Sequence, residues 1–311
     1  MMPLRDLMIV LCVVTVWGAS FTVIKLGLGD MPPMLMGALR FMLSAFPALL
    51  IVPRPKVALR WWLAYGLSVG VGQFALLFLA IRHGMPAGLA SVTLQSQAFF
   101  TMALSALLLR ERWQWPQVVA LTIAGCGLYL LASGGSHSSQ GADWWAFMLT
   151  LGAAAFWGLS NVVVRMAADS CGGEPFDLLG FIVWTSLIPP IPFAILSLWL
   201  DGTQQVADSL RHFSLASLGA VAYLAFGGTI LGSGLFSALL TRHPPGRVAP
   251  YTLLVPVVGL CTAWLILGER LTHMQLQGCT LVLAGLVINT FGLRMIRAAG
   301  SVFVSGSTPN R

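Results

Sequence analysis

From Met85 to Leu109 the chain runs for more than twenty residues without a charged side chain. As a helix, about 20 apolar residues are enough to cross the hydrocarbon core of a bilayer. Such windows recur ten times, at roughly 7–27, 33–53, 62–82, 86–109, 116–132, 144–166, 176–200, 214–240, 247–268 and 273–293. Only 9% of the 311 residues are Asp, Glu, Lys or Arg, and 57% are hydrophobic. A soluble domain carries about 25% charged residues to cover its surface. So few charges leave the bilayer as the solvent. The first window follows Arg5 and contains small residues, as a secretory leader would, but its apolar run reaches Leu26, the length of a full span.

Orientation follows from the distribution of cations, because cytoplasmic loops concentrate Lys and Arg. With the N-terminus inside, twelve of the 17 Lys and Arg fall on the cytoplasmic side, including Arg54, Lys56, Arg60, Arg110, Arg112, Arg242 and Arg247. Four fall outside (Lys25, Arg82, Arg211 and Arg270), and Arg40 lies within a span. Both termini are therefore expected in the cytoplasm, with residues 294–311 as a cytoplasmic tail. The same topology accounts for the net charge of +7 without nucleic acid, for which no basic cluster with interleaved aromatics exists.

The chain also repeats itself. "WGASFTVIK" (Trp17 to Lys25) returns as "WGLSNVVVR" (Trp157 to Arg165). "RHGMPAGLAS" (82–91) returns as "RHPPGRVAP" (242–250), and the "ER" at Glu111-Arg112 returns at Glu269-Arg270. The units are 7–132 and 144–293, each with five spans. Five is odd, so the two copies must cross the membrane in opposite senses. The expected fold is an all-α integral membrane protein of ten transmembrane helices, arranged as two inverted five-helix repeats. Inverted repeats are a common basis for alternating access in secondary transporters, with the solute site near mid-membrane.

The Trp-Gly-Ser opening of each half, "MPPMLMGALRF" (31–41), "GMPAGLASVTLQSQAFFTMAL" (84–104), "YLAF" (223–226) and "RVAPYTLLVPVVGL…LGERLT" resemble the EamA-type members of the drug/metabolite transporter superfamily. Within it they are most similar to the O-acetylserine/cysteine exporter group. The resemblance covers about 7–293. It implies a ten-helix inner-membrane protein that exports small amino-acid-like metabolites and needs no cofactor.

Polar residues inside the spans are the candidates for contact with solute, because an unpaired amide in hydrocarbon costs on the order of 2–7 kcal/mol. In "LQSQAFF" (94–100) two such amides, Gln95 and Gln97, are two residues apart, so on a helix they face opposite ways. Span four is therefore polar on two faces: one should line a path and the other should bond a neighbouring helix. The matching span nine carries Pro250, Tyr251 and Pro256 instead, and a proline frees a carbonyl one turn earlier. Gln73 lies among Gly70 and Gly72, a pattern that admits close helix approach. Trp17 and Trp157 recur at equivalent points, as paired gates or as packing, and Asn161 lies one turn beyond Trp157. Arg40, an intramembrane cation with no carboxylate in its own segment, either binds a solute carboxylate or snorkels to the headgroups. Lys25 and Arg165, at span ends, read as snorkelling anchors.

All ten acids lie outside the spans or at their ends, so the mid-membrane carboxylate of a proton or sodium pump is missing, and no GxxxxGK[ST] loop exists to bind a nucleotide. The five cysteines and five histidines have no metal-site spacing. A membrane-embedded enzyme would need converging acids or histidines. A multidrug carrier for lipophilic cations would favour an acid in its cavity. The expected partners are a small amino-acid-like solute and the lipid bilayer; a homodimer stays open.

Overall fold

The computed structural model describes residues 2–135 and 143–305, and among them it contains helices and loops but no strand. The spans are α1 (Leu4–Asp30), α2 (Pro33–Leu49), α3 (Leu59–Arg82), α4 (Ala87–Leu109), α5 (Trp115–Gly134), α6 (Trp144–Asp169), α7 (Leu178–Leu200), α8 (Leu215–Arg242), α9 (Gly246–Leu267) and α10 (His273–Gly292). Nine are long and apolar enough to cross a membrane, and α2 is the shorter one. In hydrocarbon the backbone has no water to bond, so helices that pair every N–H and C=O internally are the natural outcome of this sequence. Trp115, Trp144, Trp145, Trp199 and Trp264 stand exposed at or near span ends, where amphipathic rings suit the membrane–water boundary.

Three details differ from the sequence reading. Span α2 stops at Leu49 rather than near 53, because Pro53 and Pro55 follow and disfavour further helix. Helix α10 continues to Ser305, through most of the segment read as a tail; "RMIRAAGSVFVS" holds no proline to stop it, and 306–311 lie outside the described residues. Between α7 and α8 a short polar helix, Thr203–Arg211, occupies what read as a loop.

Small residues set the packing. Spans α5 and α10 pair chiefly with each other. A Cβ on Gly127 would lie 2.7 Å from the carbonyl oxygen of Gly278, and one on Gly285 would lie 2.7 Å from that of Ala120. The backbones therefore touch, as small residues allow in membranes. The two Trp-Gly helices behave alike. Gly18 of α1 abuts Val255 and Val258 of α9, while Gly158 of α6 abuts Phe100 and Thr101 of α4. Each half thus lends its first helix to a groove on the other half's fourth.

Four spans are irregular, and they correspond between the halves. Span α3 is π-helical over Gly66–Gln73 and α8 over Tyr223–Gly232. Span α4 tightens to 3-10 geometry at Leu94–Ser96 and α9 at Ala249–Leu254. In α3 and α8 the glycines hold the helix weakly, and large neighbours lean on them: Pro189 on Gly70, Phe156 on Gly72 and Trp17 on Gly232. In α9 the cause is Pro250 and Pro256, which lack the donors a regular helix needs. π segments and mid-helix 3-10 turns concentrate at functional sites and hinges.

The close α5–α10 contact predicts that Gly127→Ala lowers stability by about 1–3 kcal/mol through overpacking. At Gly125 a Cβ meets nothing within 4 Å, so Gly125→Ala should cost nothing. Thermal unfolding in detergent checks the pair, and equal losses would show that the interhelix contact does not set stability.

Candidate functional site

The two glutamines of α4 do face different helices. Gln95 is buried and its Nε2 donates to the carbonyl of Thr252 in α9 at 3.4 Å. That carbonyl is the one whose regular helical donor would be the missing N–H of Pro256; it also accepts from the Val255 N–H. One turn earlier, Ser91 Oγ donates to Gly88 O at 2.6 Å and reaches Pro256 O at 3.4 Å. Gln95 is therefore a tie between α4 and the broken helix α9, beside Tyr251. The Tyr251 ring itself packs with Val10, Leu239 and Val248.

Gln97 turns to α6. Its Oε1 accepts from Asn161 Nδ2 at 2.6 Å, and the same Nδ2 reaches Thr101 Oγ1 at 3.0 Å. Thr101 in turn donates back to Gln97 O at 2.7 Å. Gln97, Asn161 and Thr101 are only half-buried, unlike Gln95. Trp157, one turn before Asn161, is half-buried against the main apolar core. Nearby on α4, the buried hydroxyls of Thr93 and Ser96 have no hydrogen-bond partner among the described residues. Span four is polar on two faces as its spacing required.

A second cluster forms where α2, α3, α8 and α1 meet. Arg40 is 5% exposed, so it does not snorkel. Its guanidinium lies 4.0 Å from the centre of the Phe74 ring and 4.8 Å from that of Phe41, and Nη2 donates to Thr229 Oγ1 at 3.1 Å. The Thr229 hydroxyl in turn donates a hydrogen bond to Leu224 O at 3.1 Å, five residues back across the π turn. Arg40 Nε has no hydrogen-bond partner, and among the described residues no carboxylate pairs with Arg40. Gln73, next to Phe74 in the chain, is buried with an unpartnered Oε1. Trp17 Nε1 donates to Gly228 O at 2.9 Å, and Tyr223 donates to Val16 O at 2.9 Å. These two bonds tie α1 to the irregular part of α8. The expected residues thus fall in three places rather than one: Gln97, Asn161 and Trp157; Gln95 and Tyr251; Arg40 and Trp17 on either side of Gly228-Thr229, with Gln73 next in the chain to Phe74 under Arg40.

The span ends bring the main correction. Lys25 and Arg165 read as snorkelling anchors, yet both are ion-paired to the Glu-Arg corners of the repeat: Lys25 Nζ to Glu269 Oε1 at 2.7 Å and Arg165 Nη2 to Glu111 Oε1 at 2.6 Å. Glu269 also accepts from the N–H groups of Ala87 at 2.8 Å and Gly88 at 2.9 Å, the first turn of α4. Pro86 precedes that turn and has no side-chain acceptor, so a carboxylate about 180 residues away caps the helix. Asp6, at the start of α1, meets His243 at 2.7 Å and Arg242 at 3.3 Å, at the end of α8. The sequence held a sign of the corner pairs: the repeat aligns Lys25 with Arg165 and Glu111 with Glu269. Among the described residues no group of His, Cys, Asp and Glu is placed to hold a metal ion.

The chain matches the EamA-like transporter family twice, over residues 5–133 and 144–291. It is 47% identical over 298 residues to a Salmonella typhimurium protein called a probable amino-acid metabolite efflux pump, covering 96% of this chain and 99% of that one. An Escherichia coli protein of the same description is 46% identical over 297 residues, covering 96% and 98%. A solved crystal structure superposes with a TM-score of 0.60 at 16% identity, covering 94% of this chain and 98% of that one, a likeness of fold. The protein is a multi-pass membrane protein, and it belongs to the EamA-like transporter family.

Proposed function

We propose that the protein exports small amino-acid-like metabolites, O-acetylserine, cysteine or similar solutes, from the cytoplasm across the inner membrane, by alternating access between two inverted halves. The name carried by relatives at 46–47% identity supports the solute class. The observation that carries the binding chemistry is Arg40, a buried guanidinium whose Nε has no partner. Leaving an ion unpaired inside a membrane protein costs several kcal/mol, and the cation–π contacts with Phe74 and Phe41 return about 2 kcal/mol when desolvated. An arriving α-carboxylate would complete that site. Thr229 and the unpartnered Gln73 Oε1 would add an acceptor for the solute's ammonium or hydroxyl protons.

The half-buried Gln97–Asn161–Thr101 group is the second stretch of the path, between α4 and α6. Gln95 is the packing amide. Inversion is supported by the pairing of irregular segments and of corner ion pairs between halves of five spans each. Alternation of ten spans then puts Lys25 and Glu269 on one side and Arg165 and Glu111 on the other. The Lys/Arg count supports taking the first side as the outside.

Proteoliposomes preloaded with cysteine or O-acetylserine test the assignment: protein-dependent efflux of either is expected, and retention of both would remove the solute claim. Arg40→Met should cut efflux at least about tenfold, equivalent to about 1.4 kcal/mol of binding, while thermal stability holds or rises, because an unpaired buried charge has gone. Loss of stability with normal efflux would make Arg40 structural.

The glutamines should separate in the same assays. Gln95→Ala should lower stability by about 0.6 kcal/mol, a typical interhelical bond, since its contact is long. Gln97→Ala should leave stability nearly unchanged, because Asn161 keeps Thr101, and should impair efflux. The reverse pattern would move the path to the α4–α9 side.

A further inference from the structure

The two corner ion pairs are equivalent in the repeat but not in their surroundings. Both close a seam between a Trp-Gly helix of one half and the irregular fourth helix of the other. The α1–α9 seam runs through Gly18, the Thr22–Thr262 hydroxyl bond of 3.0 Å and Lys25–Glu269. The α6–α4 seam runs through Gly158, the Asn161–Thr101 contact of 3.0 Å and Arg165–Glu111. At the first corner the side chains are 35% and 14% exposed, and Glu269 holds two backbone N–H groups of α4 as well as Lys25. At the second they are 53% and 42% exposed. Charge-assisted bonds strengthen as water is excluded, whereas exposed ion pairs contribute little.

We infer that these pairs are opposing locks of unequal strength, and that the stronger one, Lys25–Glu269, holds the empty protein closed on its outer side so that solute loads from the cytoplasm. The inference rests on the alternating-access reading and the orientation proposed above. It adds the residues that set the direction of loading. In a protein whose two mouths open in turn, weakening one lock favours the state in which that mouth is open and thereby closes the other. A merely structural ion pair would loosen its own corner and leave the opposite mouth alone. Glu269 acts at the helix start as well: releasing it frees the first turn of α4, the span that carries Ser91, Gln95 and Gln97. Opening the outer lock therefore disturbs the path itself.

Two buried serines report on the mouths. Ser91 lies about one turn behind the outer lock, and Ser105 about two turns before Glu111 on the same span. In a full chain with its five native cysteines replaced, Ser91→Cys and Ser105→Cys are labelled by a membrane-impermeant maleimide from each side of sealed vesicles. With both locks intact, Ser105→Cys should react from the cytoplasmic side several-fold faster than Ser91→Cys from the outside. Lys25→Met should raise labelling at Ser91→Cys and lower it at Ser105→Cys, while Glu111→Gln should do the opposite. Exchanging the inner pair, Glu111→Arg with Arg165→Glu, should restore the starting pattern. Both mouths rising together, neither changing, or faster outer labelling at the start would overturn the inference. Reciprocal labelling without efflux of any amino-acid-like solute would instead leave the locks standing and remove the proposed solute.

Discussion

Inside a membrane every peptide group must find its partner within the protein, and the rest of this structure depends on that constraint. A regular helix meets it alone. The π and 3-10 stretches of α3, α8, α4 and α9 do not, so another group has to reach in. Gln95 and the Val255 N–H serve the Thr252 carbonyl, Trp17 serves Gly228, and Thr229 bridges its own π turn to Leu224. Such helices need neighbours on one face, and Leu67, Phe226, Leu231 and Leu254 stay exposed on the other, while the regular α5–α10 pair stands on glycine contacts of its own.

The same constraint explains why the electrostatics divides by depth. At the span ends several cations have an acid, Lys25 with Glu269, Arg165 with Glu111, Arg242 and His243 with Asp6, while Arg82 donates to the Leu28 carbonyl. Deeper in, Arg40 has aromatic faces, one hydroxyl and an idle Nε. A charge held at depth without a counter-ion is a poor stabiliser and a good receptor for an anionic group. On the function proposed above, Arg40 recognises the solute and the ion pairs at the span ends serve closure.

Much of this was legible in the sequence because membranes impose periodic rules. Length and apolarity located the spans, the two-residue spacing of Gln95 and Gln97 required opposite faces, and Pro256 announced a carbonyl in need of a donor. What sequence could not show was the partner. Gln97 meets Asn161 across 64 residues and Arg40 meets Thr229 across 189, and no local pattern encodes such meetings. Lys25 was misread for a physical reason: a cation at a span end looks the same whether it reaches for headgroups or for a glutamate 244 residues away. The tail after α10 was read for its side of the membrane and not for its backbone, and α10 continues through it to Ser305.

On the export mechanism proposed above, the paired irregular segments are the part of the protein that solute engages and that moves. Amide hydrogen exchange in nanodiscs, with and without saturating cysteine or O-acetylserine, addresses it directly. Exchange at 66–73, 94–96, 223–232 and 249–254 should change on adding solute, while the α5–α10 pair stays constant. A change confined to α5 and α10, or none at the four irregular segments, would contradict it.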